Sequence, residues 1–372
     1  MKKKIIIWSA IVVVLVVLIL SATGTFSNKT VGEKPTILIG ATLPLTGPVA
    51  VLGQSSQKAI ELAEESLNKT STKYNYKVVF EDDAFSPTKA ATVANKFIGV
   101  DKVDVLFSFG SPVGNAVSPI AEAQKTPHVN FFASDMNVAN GDYNFLHYTP
   151  PYVDAKLFVK ELNKRGIKKL VFFQIEGNAG ATAIMQAFEK EIVGTDIKVL
   201  AVQKFTPGTR DFRTLVSEVK DMHPDIYVLQ SSSPEIETVY KQLRDMGVKE
   251  PVTSVETFEF ADNLTPFNGS WYINSADAQK WFVDSYTNRY KEAPKFGAAN
   301  AYDGLNIIVK AVESVGDGKT VPTKEQIKVA IKNIKSFDGA LGQGLKFDEN
   351  GQLISGSVVR MIQDGKPVTI QE

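Results

Sequence analysis

The 372-residue chain contains no cysteine. That absence excludes disulfides, thiolate metal sites and a lipid-bearing N-terminal cysteine. Histidine is nearly as scarce: His128, His147 and His223 stand far apart, none with a metal-ligating neighbour at helical or hairpin spacing. A surplus of charge of either sign is missing too, since 41 Lys and Arg balance 41 Asp and Glu, which gives no support for nucleic-acid binding. No G-x-S-x-G, G-x-x-x-x-G-K or G-x-G-x-x-G stands between a strand and a helix. These absences weigh against an enzyme and call for no metal and no cofactor.

What is present begins with an address label. "MKKKIIIWSAIVVVLVVLILSATG" opens on bases and runs apolar from Ile5 to about Leu20, with small residues after it. It reads as a signal peptide with a long apolar region or as an uncleaved membrane anchor over residues 5–21. Both readings place the rest of the chain outside the cytoplasm. Lys2, Lys3, Lys4 and Lys29 are the charges of the first 30 residues, and the remainder carries 37 bases against 41 acids. "FSNKTVGEKP" then looks like a short polar tether.

Beyond it, strands and helices alternate. "TILIGATLPL", "YKVVFEDDA", "VDVLFSFG", "HVNFFAS", "KKLVFFQI" and "DIYVLQSSS" read as strands, with helix-length amphipathic segments between most of them. Parallel βαβ units and a doubly wound α/β sheet follow from that spacing. Near Pro150–Pro151 a second series of βα units starts on the same plan. Two such domains side by side bring the strand ends, where open α/β sheets bind ligands, to one cleft. The acids of "EDDA" read as capping groups ahead of the Ser-Pro helix start in "SPTK". In "LFSFGSPVGNAVSPI" a strand stops at Gly110, with Ser111 placed as helix N-cap and Pro112 as first helical residue. This is an ordinary helix start and equally an anion site, because free N–H groups and a positive dipole end face outward.

Four blocks carry a resemblance to a known family. "IGATLPLTGPVAVLGQSSQKAIELAEESLN", "EDDAFSPTKAATVANKFI", "AANAYDGLNIIVKAV" and "FDGALGQGLKFDENGQ" lie in order and span nearly everything after residue 36. They resemble the type I periplasmic-binding fold, in its leucine/isoleucine/valine-binding branch. The resemblance implies two Rossmann-like lobes joined by hinge strands that close over a small polar molecule, most often an amino acid, and hand it to an ABC transporter permease. It divides the chain into a leader or anchor with tether (1–30), a first lobe (36–150 and 277–345) and a second lobe (151–276 and 346–372). It also implies site residues: Ser111 and Ser134 for the ligand carboxylate, the Phe132 carbonyl and Glu256 for the ammonium. Leu52, Ala179 and Ser232 fall where aromatic residues often pack on the ligand side chain, so the pocket is roomier or differently walled, with Phe132, Phe258 and Phe260 as candidate replacements.

The chemistry of such a clamp stands apart from the family. A zwitterion leaving water needs donors for its carboxylate and acceptors, including a charge, for its ammonium. Each residue also has a plainer reading: Ser134 as a turn serine, Glu256 as a solvated acid of an alternating strand, and "QSSSPE" around Ser232 as a helix cap. Two other functions stay open, a membrane-anchored sensory ectodomain of the same fold and a receptor for an amide, urea or small carboxylate.

Overall fold

The computed structural model describes residues 34–71, 73–348 and 351–370. The leader-or-anchor reading of residues 1–30 therefore lies outside the described residues. Among the described residues, no helix is long and apolar enough to cross a membrane.

The first lobe is built from Thr36–Leu43 (β1), Ala50–Thr70 (α1), Asn75–Asp82 (β2), Pro87–Lys96 (α2), Val105–Phe109 (β3), Ser111–Ala123 (α3), His128–Phe131 (β4) and Asn144–His147 (β5). β3, β4 and β5 are buried at every position. Strands covered by helices on both faces have that pattern. The sheet is parallel throughout, in the order β5–β4–β3–β1–β2. Phe109 stands opposite Phe131 in the β3–β4 register, so the two loops that follow leave the sheet side by side. The acids of "EDDA" tie down the loops at the end of the sheet rather than cap the helix itself. Asp82 accepts from the N–H groups of Leu45, Thr46 and Ala84, and Ser86 caps α2 with Pro87 behind it.

The second lobe repeats the plan with Pro151–Lys164 (α4), Lys169–Ile175 (β6), Ala179–Glu191 (α5), Lys198–Phe205 (β7), Arg213–Val219 (α6), Ile226–Gln230 (β8), Glu235–Asp245 (α7) and Val252–Thr253 (β9). Its sheet is parallel, ordered β7–β6–β8–β9. After Trp271–Ser275 (β10) the chain returns to the first lobe with Lys280–Tyr290 (α8), Ala298–Val315 (α9) and Lys324–Lys332 (α10). Phe282, Tyr286, Leu305, Ile308 and Ile331 join β1 and β3 in one core. Here two of the sequence blocks meet, because the Asp303 carboxylate accepts from the N–H groups of Ala340 and Leu341 at 2.6 and 3.1 Å.

A hairpin of Phe337–Gly339 (β11) and Gly342–Leu345 (β12) leads to Gln352–Leu353 (β13). The sequence reading assigned 346–372 to the second lobe, and β13 corrects it. Gln352 and Leu353 pair in parallel with Leu146 and His147 of β5, where Leu353 fills the first core and gives the sheet edge a partner. Only after Leu353 does the chain cross, into Ser357–Gln363 (β14), antiparallel to β10, and Lys366–Thr369 (β15), antiparallel to β14. The three crossings are tied at one point: the Thr149 hydroxyl lies 2.7 Å from that of Ser275 and 2.9 Å from that of Ser355.

Candidate functional site

The loops after β3 and β4 bring Ser111 and Ser134 to the face that meets the second lobe. Ser111 is not the N-cap. Gly110 takes that position at φ 81°, and Ser111 begins the helix with Pro112 behind it. The positive φ suits glycine and turns the chain sharply off β3. Freed from capping its own helix, the Ser111 hydroxyl accepts from the Asp135 N–H at 3.1 Å and keeps its proton for another acceptor.

Across the cleft, Glu256 is not a strand acid either. It sits at φ 67°, ψ −38°, ahead of a short 3₁₀ turn, and is 3% exposed. Its N–H donates to the Ile273 carbonyl at 2.7 Å, and its Oε2 accepts from the Ser134 hydroxyl at 2.8 Å. This bond joins the two lobes.

A second carboxylate lies beside it. Asp154, in the first turn of α4, is fully buried and accepts from Ser357 of β14 at 2.5 Å. Glu256 Oε1, Asp154 Oδ2 and the Tyr148 hydroxyl are all buried and make no hydrogen bond. Burial first, and the charge of Glu256 second, push the Asp154 carboxyl well above the usual carboxylate range. Burial raises Glu256 as well, against the Ser134 hydrogen bond and the nearby Asp154 and Tyr148 side chains, which lower it. Among the described residues, no lysine, arginine or histidine lines the cavity that Glu256 borders, and Asp154 lies behind Glu256 rather than in its wall. A buried acid pair of this kind can receive a cation when Asp154 gives up its proton.

Other acids that could meet an ammonium are engaged elsewhere. Asp135 accepts from Asn137 N–H and Asn115, Glu235 accepts from Gly208 N–H, and Glu259 pairs with Arg360.

Between the lobes remains a cavity of about 40 Å³, bounded by Ser111, Ser134, Gly180, Glu256, Phe132 and Phe260 among others. A volume near that of one water molecule admits a larger guest only when the lobes part. Wider depressions of about 550 and 350 Å³ elsewhere hold none of these residues.

Phe132, at φ 82°, sends its ring into the lobe junction. It stacks on Phe109 at 4.5 Å and meets Phe296, Tyr148 and Phe260 at 4.8, 5.1 and 5.7 Å. Gly297 makes room for it, since a Cβ there would stand 2.4 Å from the ring.

The structure thus brings Ser111, Phe132, Ser134 and Glu256 together. Leu52 packs into the first core instead, and the Ser232 carbonyl accepts from Ile236 N–H at the start of α7. Neither lines the cavity, and Ala179 is represented there by its neighbours Asn178 and Gly180. Phe258 stacks on Phe267 in the second core, at 4.6 Å, whereas Phe260 reaches the cleft. Sequence reasoning missed Asp154, Tyr148 and Gly180. The only signal for Asp154 was an acid in a helix first turn, which most helices use for their own dipole.

Two parallel α/β lobes, three crossings and a polar cleft buried between the lobes define a bilobal ligand-binding protein that closes on its guest. Residues 36–366 match the family model of the periplasmic binding proteins, and the chain belongs to that family. It is an extracytoplasmic substrate-binding family, not an enzymatic one. A Leu/Ile/Val-binding protein homolog of Brucella melitensis is 24% identical over 365 residues, spanning 90% of this chain and 91% of its own. Among solved structures, the branched-chain amino acid transporter substrate-binding protein LivJ of Streptococcus pneumoniae, in complex with isoleucine, aligns with a TM-score of 0.78 at 22% identity. It covers 90% of this chain and 100% of its own. An R. palustris solute-binding protein in complex with benzoate aligns at 0.79 and 20% identity, over 90% and 95% of the two chains.

Proposed function

We propose that the chain is the receptor of an ABC importer and binds a small amino acid in the cleft between its lobes, passing it to a membrane permease. One observation carries the choice of ligand: Glu256 and Asp154 are buried together with unpartnered oxygens and no cation. An ammonium supplies the charge and the donors that these oxygens need. Ser111 and the uncapped N-terminus of α3 meet the carboxylate, for which Ser111 has its proton available. Ser134 touches both halves of the clamp, since it stands beside Ser111 and holds Glu256. Phe132, Phe260 and Phe296 offer an apolar wall to the side chain.

An extracytoplasmic location, free or anchored at the membrane, is supported by the N-terminal segment, whose basic start and apolar run suit export or anchoring. The test is a thermal-shift and calorimetric screen of L-amino acids, their deaminated acids and their amides. A bound molecule raises the melting temperature by mass action. Amino acids should stabilise the protein and deaminated analogues should not. Tight binding of benzoate or another acid without a nitrogen would overturn the ammonium site.

A further inference from the structure

Gly180 is the second residue of α5, in a helix first turn, and its φ is not in the left-handed region. Glycine is a poor helix residue, so neither the turn nor the helix accounts for it. The reason lies across the cleft. A Cβ built on Gly180 would stand 3.0 Å from the Ser111 hydroxyl, 3.3 Å from Asn178 Oδ1 and 3.6 Å from the Ser134 Cβ. Two of those three neighbours belong to the other lobe. The Ser111 hydroxyl has little freedom to retreat, because the Asp135 N–H holds it from behind at 3.1 Å.

We infer that Gly180 is the stop on which the lobes close: its bare Cα sets how near α5 of the second lobe comes to the Ser111 loop of the first. The inference rests on the cleft being the ligand site. It adds a positioning residue that touches the closing surface and supplies no side chain to the ligand. Any side chain here keeps the lobes a few tenths of an ångström apart or displaces the Ser111 hydroxyl. Either change loosens a clamp whose contacts come from both sides. The glycine is therefore kept for the closed state, at the expense of the helix that carries it.

The chain's lack of cysteine makes a direct test clean. Ser111→Cys with Gly180→Cys places the only two thiols where the closed lobes meet, within the Cβ separation of roughly 3.5–4.5 Å that a disulfide requires. Mild oxidation of the full chain should give an intrachain cross-link, seen as lost thiols and faster mobility on a non-reducing gel. Failure to cross-link overturns the proximity. In a second arm, L-isoleucine should leave Gly180→Ala roughly tenfold faster than wild type, with association little changed. The melting temperature without added amino acid should hold or rise. In the Ser111→Ala background the same glycine substitution should matter much less, because the atom it meets is gone. Equal dissociation rates for wild type and Gly180→Ala, or a full-sized effect in the Ser111→Ala background, overturn the inference. A protein that cross-links but answers no amino acid separates the two claims: closure on Gly180 stands and the amino-acid reading falls.

Discussion

Glu256 occupies a backbone conformation that a non-glycine residue adopts at a cost of ~1–3 kcal/mol, kept only where the surroundings impose it. Here the Ile273 carbonyl and the Ser134 hydroxyl impose it. Glu256→Gln keeps the shape and one acceptor but removes the charge, so an amino acid should bind ~2–5 kcal/mol more weakly, with the open form favoured. Ser111→Ala should cost ~1–3 kcal/mol of binding, the penalty of a charged acceptor short of one donor. Its fold should persist, since Gly110 and not Ser111 is the N-cap of the helix. Calorimetry with one amino acid on both variants checks the order. Asp154 adds a pH dependence. A carboxyl whose folded pKa is raised contributes stability that is complete below its ordinary value, about 4, and is lost as pH rises through the folded value. An arriving ammonium favours the charged form, so binding should release a proton and tighten with pH across that window. Calorimetry in buffers of different ionisation heat reads the proton count, and Asp154→Asn should abolish it. A wild type that exchanges no proton would show that Asp154 does not sense the ligand. The structure gathers Ser111, Ser134 and Glu256 at one junction; the residues alone allowed plainer readings of Ser134 and Glu256, and the family resemblance singled them out. Leu52 was misplaced because an apolar residue near a helix start serves a core as well as a pocket. Asp154 gave no mark at all, since its function comes from a neighbour 102 positions away in the chain.

The three crossings between the lobes meet at a single side chain. Thr149 bridges the hydroxyls of Ser275 and Ser355, so all three connections share one polar node inside an apolar hinge. Thr149→Val keeps the volume and strands both serines, which should destabilise the protein by ~1–3 kcal/mol in urea titration. An unchanged midpoint would mean that solvent or a neighbour takes over the node. Strand periods made β1 to β4, β6 and β8 readable in advance. β13 was not, because two residues have no period. Its place beside β5 depends on a sheet edge that no local pattern announces. The Ser111 boundary slipped by one residue for a similar reason: Gly110 and Ser111 are both good caps, and only the backbone turn after β3 decides between them.

On the scale of the whole molecule, the first lobe cannot stand on its early residues alone. α9 buries most of its length against β1, β3 and β4, including Leu305, Ile308 and Val312. A fragment ending near residue 150 lacks that helix and exposes the sheet face it covers. Limited proteolysis should therefore yield no stable piece ending there, and a purified, cooperatively melting fragment of that kind would contradict the architecture. The joined lobes have one more consequence, which follows from Asp154 and Glu256. If the lobes shut on nothing, the Glu256 carboxylate gives up water and receives no counter-charge while Asp154 is held protonated, which is unfavourable. On the amino-acid reading, the acid pair acts as a coincidence detector: closure without cargo is disfavoured, so the shape of the molecule reports its occupancy. A permease that docks only on the closed outline would then be triggered by loaded receptors and ignore idle ones, sparing its ATPase empty cycles.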